Sequence, residues 1–204
     1  MKNAGLAVTF QPVTKIAFSM HAFERRAAAN ESFGAFVRFF PAGFASPSQT
    51  RVRLDLRERE LDLSAYALAT RALTLGLRHQ YVDTSVRQDF ADIPAAVSSL
   101  ARQSFAATSS RTTGTIVFNH PSGLFLRAET VWTRLRDRSG SVPLGEEDAV
   151  LGNIELGYRA RARRWEVALG FLNFTDREFI ENGLSPGLDL PRKAAVVVTF
   201  HLNL

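Results

Sequence analysis

Lys193-Ala-Ala-Val-Val-Val-Thr-Phe-His-Leu-Asn-Leu204 is the stretch that decides the fold. Read at a period of two, Ala194, Val196, Val198, Phe200, Leu202 and Leu204 fall on one face, and Lys193, Thr199, His201 and Asn203 fall on the other. Alternation of this kind belongs to an extended strand, because successive side chains of a strand point to opposite sides, whereas a helix repeats near 3.6 residues.

The same pattern recurs upstream. Trp165, Val167, Leu169 and Phe171 alternate with Glu166, Ala168, Gly170 and Leu172; Ile154, Leu156 and Tyr158 alternate with Asn153, Glu155, Gly157 and Arg159. Leu73, Leu75, Leu77 and Tyr81 oppose Thr74, Gly76, Arg78 and Gln80, and Leu61, Leu63, Ala65 and Ala67 oppose Glu60, Asp62, Ser64 and Tyr66. Near the start, Leu6, Val8 and Phe10 precede a turn at Pro12 to Thr14, followed by Ile16, Phe18, Met20 and Ala22 on one face. Leu124 to Arg136 reads as a strand of mixed pattern, with Phe125 and Val131 sharing a face with Arg127 and Glu129. The expected strands cover residues 4–11, 15–25, 51–68, 72–83, 112–120, 124–136, 148–160, 164–173 and 192–204, with Arg57-Glu-Arg-Glu60 a place where the third could break.

Connections between these segments alternate in length. Tight turns are expected at Gln11 to Thr14, Ala69 to Arg71, Asn119 to Gly123 and Ala160 to Arg163. Longer polar stretches are expected at Arg26 to Thr50, Thr84 to Arg111, Asp137 to Glu147 and Phe174 to Pro191. An up-and-down transmembrane β-barrel has this asymmetry, with short turns at one rim and long loops at the other. The fold class expected is therefore all-β, an antiparallel up-and-down transmembrane β-barrel.

Composition agrees. The chain is 46% hydrophobic with a mean hydropathy of −0.05, so apolar and polar residues are interleaved. No apolar run reaches the roughly 18 residues of a membrane helix, a test that does not see membrane strands of about 9 to 11 residues. There is no cysteine, which removes disulfides, thiolate metal sites and cysteine nucleophiles. The net charge of +5 is carried mostly by arginines spread along the strands. Without a basic patch or an aromatic stacking platform, nucleic acid is not expected as a partner. A positively lined lumen, or loops facing anionic headgroups, explains the balance more simply.

An odd number of strands leaves the first beginning on the outer side, whereas single-chain bacterial barrels have even counts. Residues 1 to 10 also lack the apolar stretch and cleavage site of a secretory signal. The reading is that residues 1–204 form a barrel segment, the C-terminal part of a longer barrel, or that the first segment stands apart and eight strands close alone.

Several pieces resemble the barrels of TonB-dependent receptors. Ala4-Gly-Leu-Ala-Val-Thr-Phe-Gln-Pro12 followed by Lys15 to Arg25 is similar to one hairpin of that family, and Arg57 to Ser64 with Ala72 to Asp83 to the next. Val167 to Phe179, with Asn173-Phe-Thr-Asp176, resembles the penultimate strand and the start of its loop, and Pro191-Arg opens the last strand. His120-Pro-Ser-Gly-Leu-Phe125 is also similar to barrels fused behind tetratricopeptide repeats. The resemblance implies a bacterial outer-membrane location, outer-membrane lipid as the surrounding partner, and recognition of the C-terminal strand by the barrel-assembly machinery. It also implies a TonB-type energy-coupling protein acting through an N-terminal plug, which has no counterpart in this sequence. The chain ends on Leu204 where the family generally ends on an aromatic residue.

No catalytic, cofactor or metal site is expected. His21, His79, His120 and His201 lack metal-ligand spacing, Ser19, Ser64 and Ser122 lack a nucleophile elbow, and Gly152 to Gly157 is not a phosphate loop. Asp62, Arg78, Arg127, Glu129, Glu155, Arg159 and Glu166 are expected to face a wet lumen, bracing the wall or setting selectivity. Trp132, Tyr158, Trp165, Phe171 and Phe200 are expected to form interfacial girdles, against the alternative of core packing. The long loop Thr84 to Arg111, with Phe90, Ile93, Pro94 and Phe105, could fold into the lumen or present an external surface. The expected role is uptake or passage of solutes. The alternatives are a small barrel for adhesion or envelope structure, and a soluble β-sandwich or lipocalin-like carrier.

Overall fold

In the computed structural model, alternation translates into nine strands among the described residues: β1 (Lys2–Val13), β2 (Ile16–Phe39), β3 (Phe44–Leu68), β4 (Leu73–Phe90), β5 (Arg102–Asn119), β6 (Leu124–Asp137), β7 (Glu146–Arg159), β8 (Trp165–Leu172) and β9 (Ala195–Leu202). The structure describes all residues except 40–43, 94–95, 97, 140–145, 161–163, 178–192 and 203–204, and the side chains of 33–49 and 100. Each strand pairs antiparallel with the next, giving one sheet in the order β1 to β9. The fold is thus all-β and up-and-down. Among the described residues the outer edges of β1 and β9 have no partner, so the sheet is open.

Two expected loops are largely ladder. Most of Arg26 to Thr50 belongs to the β2–β3 hairpin, paired without interruption from Ile16↔Ala67 to Phe39↔Phe44. Most of Thr84 to Arg111 belongs to the β4–β5 pair, leaving a connection that includes one 3-10 turn, Ser99–Ala101. Phe90 ends β4 and Phe105 lies within β5, while Pro94 is outside the described residues. The reason is physical. Alternation is a signature of one apolar face, and where both faces are polar the backbone can still pair while the side chains lose the pattern. Nor does β3 break at Arg57 to Glu60, whose partners on β2 and β4 run in unbroken register.

Short turns close the other rim. β1 runs into β2 through a shift of register between Phe10 and Val13. Between β5 and β6, Gly123 adopts φ 100°, a conformation open to glycine and strained for other residues, and donates its N–H to the His120 carbonyl at 3.0 Å. The expected turn at Ala160 to Arg163 and the expected start of the last strand at Pro191 fall mostly outside the described residues.

The chain exposes 14431 Å² of surface. A compact monomer of 22.6 kDa would expose about 9,500 Å². The excess belongs to a single layer in which, among the described residues, neither face is covered by another sheet or helix.

Candidate functional site

The two faces differ in kind. Directly opposed residues share a face, so the register carries each face across all nine strands. One face receives Leu6, Val8 and Phe10 from β1, Phe18 and Met20 from β2, Leu63 and Ala65 from β3, and Leu75, Leu77 and Tyr81 from β4. It continues through Ile116 and Phe118, Leu126 and Trp132, Val150, Ile154 and Leu156, Val167, Leu169 and Phe171, to Val196, Val198 and Phe200. Most of these side chains are exposed.

The opposite face is polar in its ladder yet buries the side chains that form the core. Phe125, Val131, Leu135, Ala149, Leu151 and Ala168 are buried there, together with Val52 and Ala107. Adjacent residues show the contrast: Leu151 is 6% exposed and Val150 46%; Val131 is 2% exposed and Trp132 39%. With no second layer among the described residues, a sheet buries one face alone by curving toward it. The polar face is therefore the concave one, the inverse of a soluble sandwich, which buries its apolar face.

All seven sequence-predicted inward residues lie on this concave face, and most are paired across strands. Arg78 donates to Asp62. Arg127 Nη1 donates to Glu155 at 3.2 Å, Arg159 Nε to Glu166 at 2.6 Å, and Asn153 Nδ2 to Glu129 at 3.1 Å. Gln80 adds a 2.8 Å bond to Glu60. The guanidinium groups of Arg127 and Arg159 both lie over the Phe125 ring, at 5.0 and 5.1 Å. The arrangement braces adjacent strands and leaves mixed charge along a concave surface.

Two glycines on the same face make room for rings. A Cβ at Gly76 would stand 2.9 Å from Tyr66, its partner on β3. One at Gly157 would collide with the Phe125 ring and stand 2.7 Å from the Val167 carbonyl oxygen. Aromatic residues opposite strand glycines cover backbone that would otherwise be bare.

On the convex face the apolar residues form a band. From Leu124 to Trp132 on β6 it runs about 27 Å along the strand. The sequence-predicted aromatics all lie on this face and divide between its borders. Tyr158, Trp165 and Phe200 stand at the short-turn border, where the Tyr158 and Trp165 rings lie 5.5 Å apart. Trp132 and Phe171 stand toward the long-loop side.

Beyond that upper border the same face turns abruptly charged. Glu24 is hydrogen-bonded by Arg26 at 2.9 Å and Arg57 at 2.8 Å, with Arg59 at 3.5 Å. These guanidinium groups, Arg26 first and then Arg57, hold its carboxyl down at about 2. Arg53 pairs with Asp55, Arg102 with Asp89, Arg134 with Glu146 and Asp148, and Arg138 with Asp83. Arginines outnumber carboxylates in this belt, whereas the concave face carries Glu58, Glu60, Asp62, Glu129, Glu155 and Glu166 against fewer cations. The positive balance thus lies on the convex side, and a positively lined concave surface is not what the structure has. Sequence reading missed the belt because Arg53, Arg57 and Arg59 alternate with Leu54, Leu56 and Glu58 just where the apolar residues change face.

The Asn173-Phe-Thr-Asp176 segment is a built corner. Asn173 and Asp176 both adopt positive φ, 47° and 49°. The Asn173 amide donates to Asn153 Oδ1 at 2.8 Å, Thr175 Oγ1 donates to the Val150 carbonyl at 2.9 Å, and Asp176 accepts the Ala194 N–H at 3.0 Å. Phe174 folds over Gly152. This corner ties β8 to β7 and to the approach of β9.

Of the histidines, His79 Nδ1 bonds Thr112 at 2.9 Å and His120 Nδ1 bonds Ser122 at 2.8 Å within its turn. Among the described residues no group of three or more His, Cys, Asp or Glu could hold a metal ion.

Fold and faces together define a class: an antiparallel meander with an exposed apolar convex band, a charged belt above it and a polar, cross-braced concave surface. Compared with protein families, with curated proteins and with solved structures, the chain matches none.

Proposed function

We propose that this sheet is wall from a bacterial outer-membrane β-barrel for uptake or passage of solutes, its convex band against lipid and its concave face toward a wet interior. One observation carries the reading: the continuous apolar face is the exposed one, and the buried side chains lie on the face whose ladder is otherwise polar and charged. A soluble carrier or sandwich needs the opposite arrangement. At the roughly 40° tilt of strands in such barrels, the band's length would give about 21 Å of height, comparable with their roughly 25 Å apolar belt, and aromatic residues at its borders suit the headgroup level.

In lipid, an unpaired strand edge leaves backbone groups without partners at several kcal/mol each. The reading therefore includes further strands on the outer edges of β1 and β9, supplied by the same polypeptide or by another. Asp62, Arg78, Arg127, Glu129, Glu155, Arg159 and Glu166 would then line the lumen, their carboxylate-rich balance favouring cationic or neutral solutes over anions. Energy coupling of the TonB type and delivery of β9 to the assembly machinery belong to the same proposal.

The chain's two tryptophans test it, since Trp132 and Trp165 lie on the convex face toward opposite borders of the band. In vesicles containing brominated lipids, each single-tryptophan protein (Trp132→Phe or Trp165→Phe) should be quenched most by bromines near the headgroup. Emission unaffected by bromine at any depth would overturn the reading.

A further inference from the structure

The convex face carries two concavities on the same strands, one above the other. The lower, about 420 Å³, is apolar, walled by Phe10 and Phe18, Met20, Leu63 and Leu77, with His79 at its upper side. The upper, about 520 Å³, lies in the charged belt and is lined by Lys2, Arg26, Arg57 and Arg87, with the Ser85 and Ser104 hydroxyls and Asp55. Asp55 is engaged by Arg53 at 3.1 Å. Arg26, Arg57 and Arg59 share Glu24, so one carboxylate stands against three arginines, and Arg87 forms no ion pair among the described residues. The upper cavity therefore keeps an uncompensated positive charge.

Register fixes the separation. Leu63 sits at the level of Met20 and His79, and Arg57 at the level of Arg26 and Ser85. Those levels are six residues apart on β3, about 20 Å along the strand. An apolar groove with a cationic pocket that far above it, on one continuous surface, matches an amphiphile with hydrocarbon chains at one end and an anion at the other. Among anionic headgroups a phosphate is the best fit, because guanidinium forks meet phosphate oxygens bidentately and a serine hydroxyl can donate to a remaining one.

We propose that β2 to β4 hold one membrane lipid with a net-anionic phosphate headgroup on the convex face, its chains against Phe18, Met20, Leu63 and Leu77 and its phosphate against Arg26, Arg57 and Arg87. This rests on the reading of that face as lipid-facing. The site is specific rather than a general attraction of the belt, since the Arg134 and Arg136 cluster at the other side is held by Glu146 and Asp148.

The test uses the whole chain, reconstituted in phosphatidylcholine nanodiscs, with binding of added phosphatidic acid followed by native mass spectrometry. Wild type should retain phosphatidic acid over phosphatidylcholine, and Arg26→Gln/Arg57→Gln/Arg87→Gln should lose at least tenfold in that preference. Arg136→Gln should keep it, and the triple lysine variant should recover part of it. Loss in Arg136→Gln to the same extent would overturn a localised site. Equal retention of both lipids by wild type, or displacement of phosphatidic acid by inorganic phosphate at matched concentration, would overturn the lipid proposal. Failure to enter nanodiscs at all is a separate result, and it would sink the membrane reading beneath it.

Discussion

Gly157 and Phe125 face each other across the β6–β7 pair, and the phenylalanine ring occupies the space where a side chain at 157 would begin. Phe125 is 2% exposed and lies under the guanidinium groups of Arg127 and Arg159, so it cannot yield outward without breaking both contacts. Gly157→Ala should therefore destabilise the sheet by about 1 to 3 kcal/mol, the range for overpacking. Gly114, also within a strand, has no atom within 4 Å of the place a methyl group would take, and Gly114→Ala should be neutral or stabilising by up to about 1 kcal/mol. Urea unfolding in detergent compares the two. Equal effects would show that the ring does not depend on the glycine.

The Arg159–Glu166 pair predicts a measurable coupling. Both side chains are mostly covered, at 27% and 20% exposure, and their bond joins β7 to β8 at the end nearest the short turns. A double-mutant cycle with Arg159→Gln and Glu166→Gln should give about 1 kcal/mol, the top of the range for exposed pairs. A coupling within about 0.3 kcal/mol of zero would remove this pair from the account of how the wall is braced.

Ile154 discriminates between environments for the convex face. It is 38% exposed in the middle of the band, midway between Tyr158 and Val150 on β7. On a water-facing surface Ile154→Arg should change stability by no more than about 0.5 kcal/mol, whereas near a bilayer midplane it should cost about 2 to 4 kcal/mol. Reversible folding into phosphatidylcholine vesicles, with Glu155→Gln on the concave face as a comparison, separates these outcomes.

Glu24 predicts a dependence on acidity. Its carboxyl is held at about 2, below its ordinary value of 4.5, by hydrogen bonds from Arg26 and then Arg57. A lowered value means that the folded state favours the charged form. The associated stabilisation is present above pH 4.5 and is lost as the pH falls toward 2. Glu24→Gln should flatten the acid limb of the unfolding midpoint in that window, lowering the midpoint at neutral pH and leaving it little changed near pH 2. An unaltered acid limb would show that screening by solvent cancels the network.

Asp176→Ala tests the corner after β8. Its carboxylate caps the Ala194 N–H from a residue in a positive-φ conformation that Asp and Asn tolerate better than Ala. A loss of about 1 to 2 kcal/mol is expected, with faster hydrogen exchange at Ala194 than in wild type.

Alternation alone determined that the chain is all-β, roughly where each strand lies, and which residues share a face. Asp62, Arg78, Arg127, Glu129, Glu155, Arg159 and Glu166 were legible as one set because each is an odd number of residues from an apolar neighbour on its own strand, and backbone geometry turns that parity into sides. The extents of β2 to β5 were not legible, since residues such as Arg53 to Glu60 and Thr84 to Phe90 carry no single apolar face, and their pairing is enforced by the neighbouring strand. Only the tertiary structure decided which face is concave, that Phe125 needs Gly157, and that Arg26, Arg57 and Arg87 gather above the apolar band. Those facts depend on curvature and on residues brought together across strands, and local sequence order does not encode such distances.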